Sequence, residues 1–146
     1  MTKRRIDTGP ALGDLVEAAK GLAHPARLRL LGMLTSGELC VCQMIAVLGL
    51  APSTVSKHLS VLAHGGLVAE RKEGKLVFYR LREDGPAGAL LPPLLSLLAA
   101  VPDSRADRTV IARLRQVPVA ALCAADLDLA AVGVRQSIEK VPLHAS

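Results

Sequence analysis

Only two side chains in this chain of 146 residues are aromatic, Phe78 and Tyr79, although hydrophobic residues make up 51% of it. A core with so few rings has to be packed from Leu, Val, Ile and Ala. Leu and Ala form helices readily, and the aromatic residues that populate sheets are nearly absent, so the inventory favours helices over a β-sandwich. The length suits one domain with an extension and is short for two domains of ordinary size.

Hydrophobic spacing predicts where the helices fall. "ALGDLVEAAKGL" (11–22) repeats Leu12, Leu15, Val16, Ala19 and Leu22 at helical intervals. After "AHPAR", with Pro25 suited to a first turn, "RLRLLGMLTSG" sets Leu28, Leu31 and Leu34 against Arg27 and Arg29 and stops at Gly37. "ELCVCQMIAVLG" predicts a third helix ending at Gly49. "LAPSTVSKHLSVLAHGG" predicts a fourth, with Pro52 in its first turn, Val55, Leu59 and Leu62 on one face, and Gly65-Gly66 at its end.

Beyond residue 66 the period drops from 3.6 to about 2. "LVAERKEGKLVFYRLRE" reads as a β-hairpin around the charged loop "KEGK". "GALLPPLLSLLAA" predicts a helix that Pro92 and Pro93 either begin or kink. "RADRTVIARLRQV" predicts another, capped by Asp103 or Ser104, and "VAALCAADLDLAAVGVRQSIEK" a last one or a partly ordered segment.

The net charge of +5 is unevenly placed: residues 1–82 carry 12 Lys and Arg against 6 Asp and Glu, residues 83–146 carry 6 against 7. A basic front part points to a polyanionic partner. "MTKRRIDTGP" has no apolar run behind its basic residues, and the longest apolar run, residues 87–101, is shorter than the roughly 20 residues a membrane span needs. A cytoplasmic location and no membrane partner are therefore expected. The three cysteines, Cys40, Cys42 and Cys123, then read as reduced thiols open to metal or redox chemistry. No CxxC or Cys/His pair has catalytic spacing, so neither an enzyme nor a small organic substrate is expected.

Two helices joined at Gly49, the second with a small-polar and basic outer face, followed by a two-stranded wing, outline a winged helix-turn-helix. Ser53, Thr54 and Ser56 are short enough to let a helix sit deep in a major groove. Lys57 and His58 lie within reach of phosphate or base edges, and Arg71, Lys72 and Lys75 give the wing a cationic tip.

The run "HPARLRLL", "ELCVCQM", "LAPSTVSKHLSVLAHGGLV", "RKEGKLVFYRL" resembles the ArsR/SmtB family of metalloregulatory repressors over about residues 12–100, and "ELCVC" resembles its arsenic-sensing branch. The resemblance implies a mainly α fold with a β-hairpin wing, a homodimer, and a repressor that leaves double-stranded operator DNA when a thiophilic ion binds. Residues 1–100 would form the DNA-binding and dimerisation domain, and 101–146 a helical extension outside the resemblance. Ile45 stands where related arsenite repressors often have a third cysteine, the helix after the wing lacks the His and carboxylates of the zinc sensors, and no cysteine precedes Cys40. The remaining ligand set is Cys40, Cys42 and Cys123, suited to arsenite or antimonite as inducer.

An i, i+2 pair in a regular helix lies about 200° apart, so Cys40 and Cys42 are expected to meet on one ion only if the first turn of the third helix unwinds. The same geometry argues against an unstrained disulfide between them, and the helix N-terminus is expected to favour a thiolate. A redox-sensing repressor of the same fold is the alternative reading.

Overall fold

A computed structural model describes residues 11–134. The elements are α1 (Leu12–Leu22), α2 (Pro25–Met33), β1 (Leu39–Cys40), α3 (Val41–Leu48), α4 (Pro52–His64), β2 (Val68–Glu73), β3 (Leu76–Leu81), α5 (Leu91–Leu98), α6 (Pro102–Leu114) and α7 (Val119–Ala124). The basic start of the chain and the part of the last expected helix beyond residue 134 lie outside the described residues.

The fold is mainly helical with a small antiparallel sheet. Gly49 closes α3 in the left-handed conformation, φ 67°, and its N–H bonds to the Ile45 carbonyl at 2.9 Å. Three residues on, Pro52 opens α4, and the two helix axes differ in direction by 116°. That is the angle of a helix-turn-helix pair. Val55, Leu59 and Leu62 are fully buried, which fixes the inward face of α4 and leaves its opposite face to solvent.

The sheet departs from a simple two-stranded wing. Its order is β1-β3-β2, with Leu39 opposite Tyr79 and Cys40 opposite Phe78. Residues 38–40, expected in the first turn of a helix, instead run extended, and α3 begins at Val41. Two causes act together: Gly37, at φ 121°, resets the chain direction just upstream, and Leu39 and Cys40 are both buried while pairing with β3. The hairpin is also tighter than "KEGK" suggests. Glu73 pairs with Leu76, so Gly74 and Lys75 alone make the turn, with Gly74 supplying a positive φ of 61°.

Pro92 and Pro93 fall in the first turn of α5, where a missing N–H costs nothing, and they begin that helix rather than kink it. α6 starts one residue before the expected cap. Pro102 takes its first position after an extended Val101, which puts Asp103 in the first turn and buries Ser104 inside the helix. A Cβ added at Gly32 of α2 would collide with the Ser104 hydroxyl, so the glycine lets α2 and α6 cross closely. At a second close crossing a Cβ on Gly65 would come 2.8 Å from the Glu17 carbonyl oxygen, bringing the end of α4 against the backbone of α1.

α6 lies on α2 and α3, and α7 lies on α3. Val110, Ile111, Leu114 and Leu122 share one continuous core with Leu30, Leu31, Met44, Leu59 and Leu62. Arg29 of α2 grips Asp107 of α6 with two bonds, Nε to Oδ2 at 2.8 Å and Nη2 to Oδ1 at 2.7 Å. Among the described residues, the large apolar side chains left in solvent are Leu12, Leu15 and Val16 on α1, and Leu97 and Val101 around the end of α5. Among the described residues, no single helix is long and apolar enough to cross a membrane.

Candidate thiol site and nucleic-acid interface

Because Cys40 is the last residue of β1, its backbone is extended, at φ −74° and ψ 146°, and it caps α3 instead of belonging to it. The 200° separation of a regular helix therefore does not apply. The Sγ atoms of Cys40 and Cys42 stand 2.9 Å apart, longer than the roughly 2.05 Å of a disulfide, and both thiols are free. The expectation that α3 must unwind to bring them together fails, and so does the geometric argument against a bond between them. Gln43, itself buried, holds the bend in place: its side-chain oxygen accepts the Cys40 backbone N–H at 2.8 Å, satisfying one of the donors that a helix start leaves open.

Burial pushes the Cys42 thiol well above its ordinary range, and the neighbouring Cys40 and Cys123 thiols push it further. The helix N-terminus does not prevail here; Cys42 is held as a neutral thiol. Cys123, on α7, is exposed, and its thiol is close enough to act on that of Cys42. The three do not form a closed coordination set, since among the described residues no three His, Cys, Asp or Glu side chains converge as a metal site. The structure thus gives a preformed pair, with a third thiol beside it on a separate helix.

Along α4, Ser53, Thr54, Ser56 and Lys57 are exposed on the face opposite the core. Ser60 extends the same row; the i+3 and i+4 spacing from Ser53, Ser56 and Lys57 already marked it in the sequence. His58 does not belong to that row. It is half-buried, its ring lies 4.4 Å from that of His24, and its Nδ1 is 3.1 Å from Nη1 of Arg27. The Arg27 guanidinium has N–H donors and no lone pair with which to accept, so His58 accepts at Nδ1. Burial, then His24, Arg27 and Lys57, hold its pKa below the ordinary value, and it adds no charge to the outer face at neutral pH. Arg27 also donates to the carbonyls of Lys20 and Gly21, so α1, α2 and α4 meet on one guanidinium.

On the wing, Lys72 and Lys75 are exposed and make no ion pair among the described residues. Arg71 differs. Its guanidinium takes the Glu38 carboxylate at 2.7 and 3.0 Å and Glu73 at 2.8 Å, and stacks over Phe78 at 4.6 Å. The expected cationic tip is therefore two free lysines and one arginine already engaged. Tyr79, between β1 and β2, donates its hydroxyl to Glu70 at 2.9 Å, and burial together with Glu70 pushes it up to about 12.

Residues 24–70, from the cap of α2 through α4 to the start of the wing, match the family described as bacterial regulatory protein, arsR family. A biofilm growth-associated repressor of Agrobacterium fabrum strain C58 is 43% identical over 81 residues, spanning 56% of this chain and 68% of that protein. The chain belongs to the ArsR family. An arsenical resistance operon repressor of Escherichia coli strain K12 is 40% identical, over 51% of this chain and 64% of the relative. The solution structure of the homodimeric winged helix-turn-helix DNA-binding domain Mb0332 from Mycobacterium bovis, 34% identical, covers 60% of this chain and 80% of its own, with a TM-score of 0.52. For an ArsR-family chain the described fold is thus a winged helix-turn-helix regulator, and its family is one of transcriptional regulators.

Two supporting residues of this ArsR-family chain escaped sequence reasoning. Gln43 looked like one more polar position of an amphipathic helix, and Glu38 like that helix's first residue. The turn at Gly37 was the available signal: a glycine that ends the preceding helical turn there frees the following residues to pair as a strand.

Proposed function

We propose that this chain is a homodimeric repressor that binds double-stranded operator DNA through α4 and the wing, and leaves it when arsenite or antimonite binds Cys40, Cys42 and Cys123. The observation that carries the reading is the pair of thiol sulfurs 2.9 Å apart where β1 passes into α3. Soft thiols select soft ions, and a pyramidal three-coordinate ion suits a pair completed by one further thiol. The chemistry balances without an oxidant: arsenous acid and three thiols give a trithiolate arsenic and three waters, each thiol proton leaving with a hydroxide. α7 lies on α3 with Cys123 beside Cys42, and a small shift of Cys123 toward the pair completes the set.

A dimer reading successive major grooves sets its α4 helices roughly 34 Å apart. The exposed leucines and valines of α1 and α5 are the surfaces for that dimer. The elements that carry the thiol pair adjoin both parts proposed to read DNA, since α3 packs on α4 and β1 pairs with β3. Release follows from coupling across those contacts. By linkage, DNA weakens arsenite binding by the same factor as arsenite weakens DNA binding, typically about 5- to 150-fold. Fluorescence anisotropy on operator DNA tests this: wild type is expected to dissociate on arsenite addition, while Cys40→Ser and Cys42→Ser bind DNA and stay bound. Unchanged wild-type affinity in arsenite would refute the proposal. Cys123→Ser is expected to weaken the arsenite response; a normal response assigns Cys123 a structural role and leaves a two-thiol site.

The 2.9 Å separation also favours a second reading, a repressor sensing oxidants. Two thiols and one peroxide give a disulfide and two waters, the sulfurs losing two electrons and two protons to the oxidant. Intact mass after each treatment separates the two: loss of two hydrogens with peroxide against gain of arsenic with arsenite.

A further inference from the structure

Glu38 stands immediately before β1 and two residues before Cys40. Its carboxylate lies against the wing, on strand β2, and receives Arg71 through Nε and Nη2. Glu73 takes Nη1 of the same arginine at 2.8 Å, and the Phe78 ring covers its face. The guanidinium therefore has both an acidic cradle and a stacking platform. Among the described residues, its neighbours on the wing, Lys72 and Lys75, have neither.

The register connects this cradle to the thiols. Cys40, Phe78 and Arg71 occupy one row across β1, β3 and β2, and side chains of one row share a face of the sheet. The base of β1 is held from the other side by Arg115, which ends α6 and donates to the Glu38 carbonyl at 3.2 Å and the Ser36 hydroxyl at 3.1 Å. Glu38 thus precedes a short strand that α6 fixes at its start and the thiol pair at its end. The ion pair itself is exposed, with 47% of the Arg71 side chain and 30% of Glu38 in solvent, so an incoming anion can reach the guanidinium. A phosphate oxygen pair has the same bidentate fit to arginine as a carboxylate.

We propose that Glu38 acts as an internal competitor for Arg71, occupying the wing arginine in place of operator phosphate, and that chelation at Cys40 strengthens its hold by stiffening β1. In the empty protein, DNA draws Arg71 out of the Glu38 cradle. In the ion-loaded protein the strand that follows Glu38 is tethered through Cys40, the carboxylate keeps the arginine, and each wing loses one phosphate contact. The inference rests on the repressor reading given above, and its first test needs no inducer.

The test is Glu38→Gln in the full-length protein, with operator affinity measured over a salt series. Each phosphate neutralised by a cation contributes about 0.9 to the slope of log affinity against log salt. Glu38→Gln is expected to bind operator more tightly at low salt and to steepen the slope by about one per wing. In an Arg71→Ala background the same substitution is expected to leave the slope unmoved. A slope that stays the same or becomes shallower in a variant shown to be folded by circular dichroism and a melting curve overturns the competition. The second reading is the ratio of operator affinities without and with arsenite, expected to shrink in Glu38→Gln; an undiminished ratio removes β1 from the release path. Failure of wild type to bind operator, or to release it with arsenite, falls on the repressor reading. A wild type that does both beside a Glu38→Gln variant identical to it falls on the Glu38 competition.

Discussion

Replacing Arg29 by Met tests whether the helices beyond residue 100 belong to the core or merely lie on it. The Arg29 side chain is 15% exposed and that of Asp107 5%, and two short bonds join them across α2 and α6. Removing the guanidinium strands a carboxylate in a dry site, which costs about 3–5 kcal/mol. The carboxylate can escape only by taking a proton. Burial is the largest influence on Asp107 and pushes its pKa up, Arg29 pulls it down, and Asp103 pushes it up again; without Arg29 only upward pushes remain. A carboxyl with a folded pKa above its unfolded value stabilises the fold while protonated and loses that contribution as pH rises through the folded value. The deficit of Arg29→Met should therefore be small near pH 4 and grow by up to about 1.4 kcal/mol per pH unit above it, until Asp107 is charged. Urea denaturation followed by circular dichroism at pH 4.5 and 7.5, at one fixed protein concentration, measures both values. Adding Asp107→Leu removes the stranded charge and should restore most of the loss at pH 7.5. A deficit below about 1 kcal/mol at pH 7.5, equal deficits at the two pH values, or a double variant no better than the single would each refute the reasoning.

Ser104→Ala should stabilise the protein by about 1 kcal/mol in the same assay, because the buried Ser104 hydroxyl has no hydrogen-bond partner among the described residues and faces Gly32. Lys75→Ala, at the hairpin tip, should weaken operator binding evenly across DNA sequences and make the salt slope shallower by about one per wing, read by anisotropy. Cadmium must displace the proton that Cys42 retains, so its affinity should rise with pH by about tenfold per pH unit for that proton. Arsenous acid exchanges thiol protons for water, so its affinity should stay flat between pH 6 and 8; calorimetry in buffers of different ionisation heat distinguishes the two.

α4 and the hairpin were legible from the sequence because each advertises its ends: Pro52 and the glycine pair bracket one, and the change to a two-residue period marks the other. The buried row Val55, Leu59 and Leu62 is visible in the spacing of the apolar residues alone. What periodicity could not supply was the junction at residues 38–41. Two strand residues are too few to show an alternation, and the pairing that holds them comes from β3, some forty positions later. The same blindness to distant partners explains His58 and Arg71. Both carry the right chemistry for DNA, yet the structure commits one to Arg27 and His24 and the other to Glu38 and Glu73. Cys123 was legible as a candidate only by elimination. Its place beside Cys42 depends on α6 crossing α2 at Gly32, a contact between residues more than seventy positions apart.

The close approach at Gly65 bears on how the two halves of an assembly communicate. Backbone meets backbone there, with the α1 carbonyl of Glu17 where a side chain on residue 65 would stand, and Arg27 ties the end of α1 to His58 in the middle of α4. Such a joint has no slack: it works as a gear tooth and not as a cushion. A subunit that covers Leu12, Leu15 and Val16 grips α1, and a rotation imposed on α1 is handed to α4, the helix proposed to read DNA, through backbone contact and not through soft side chains.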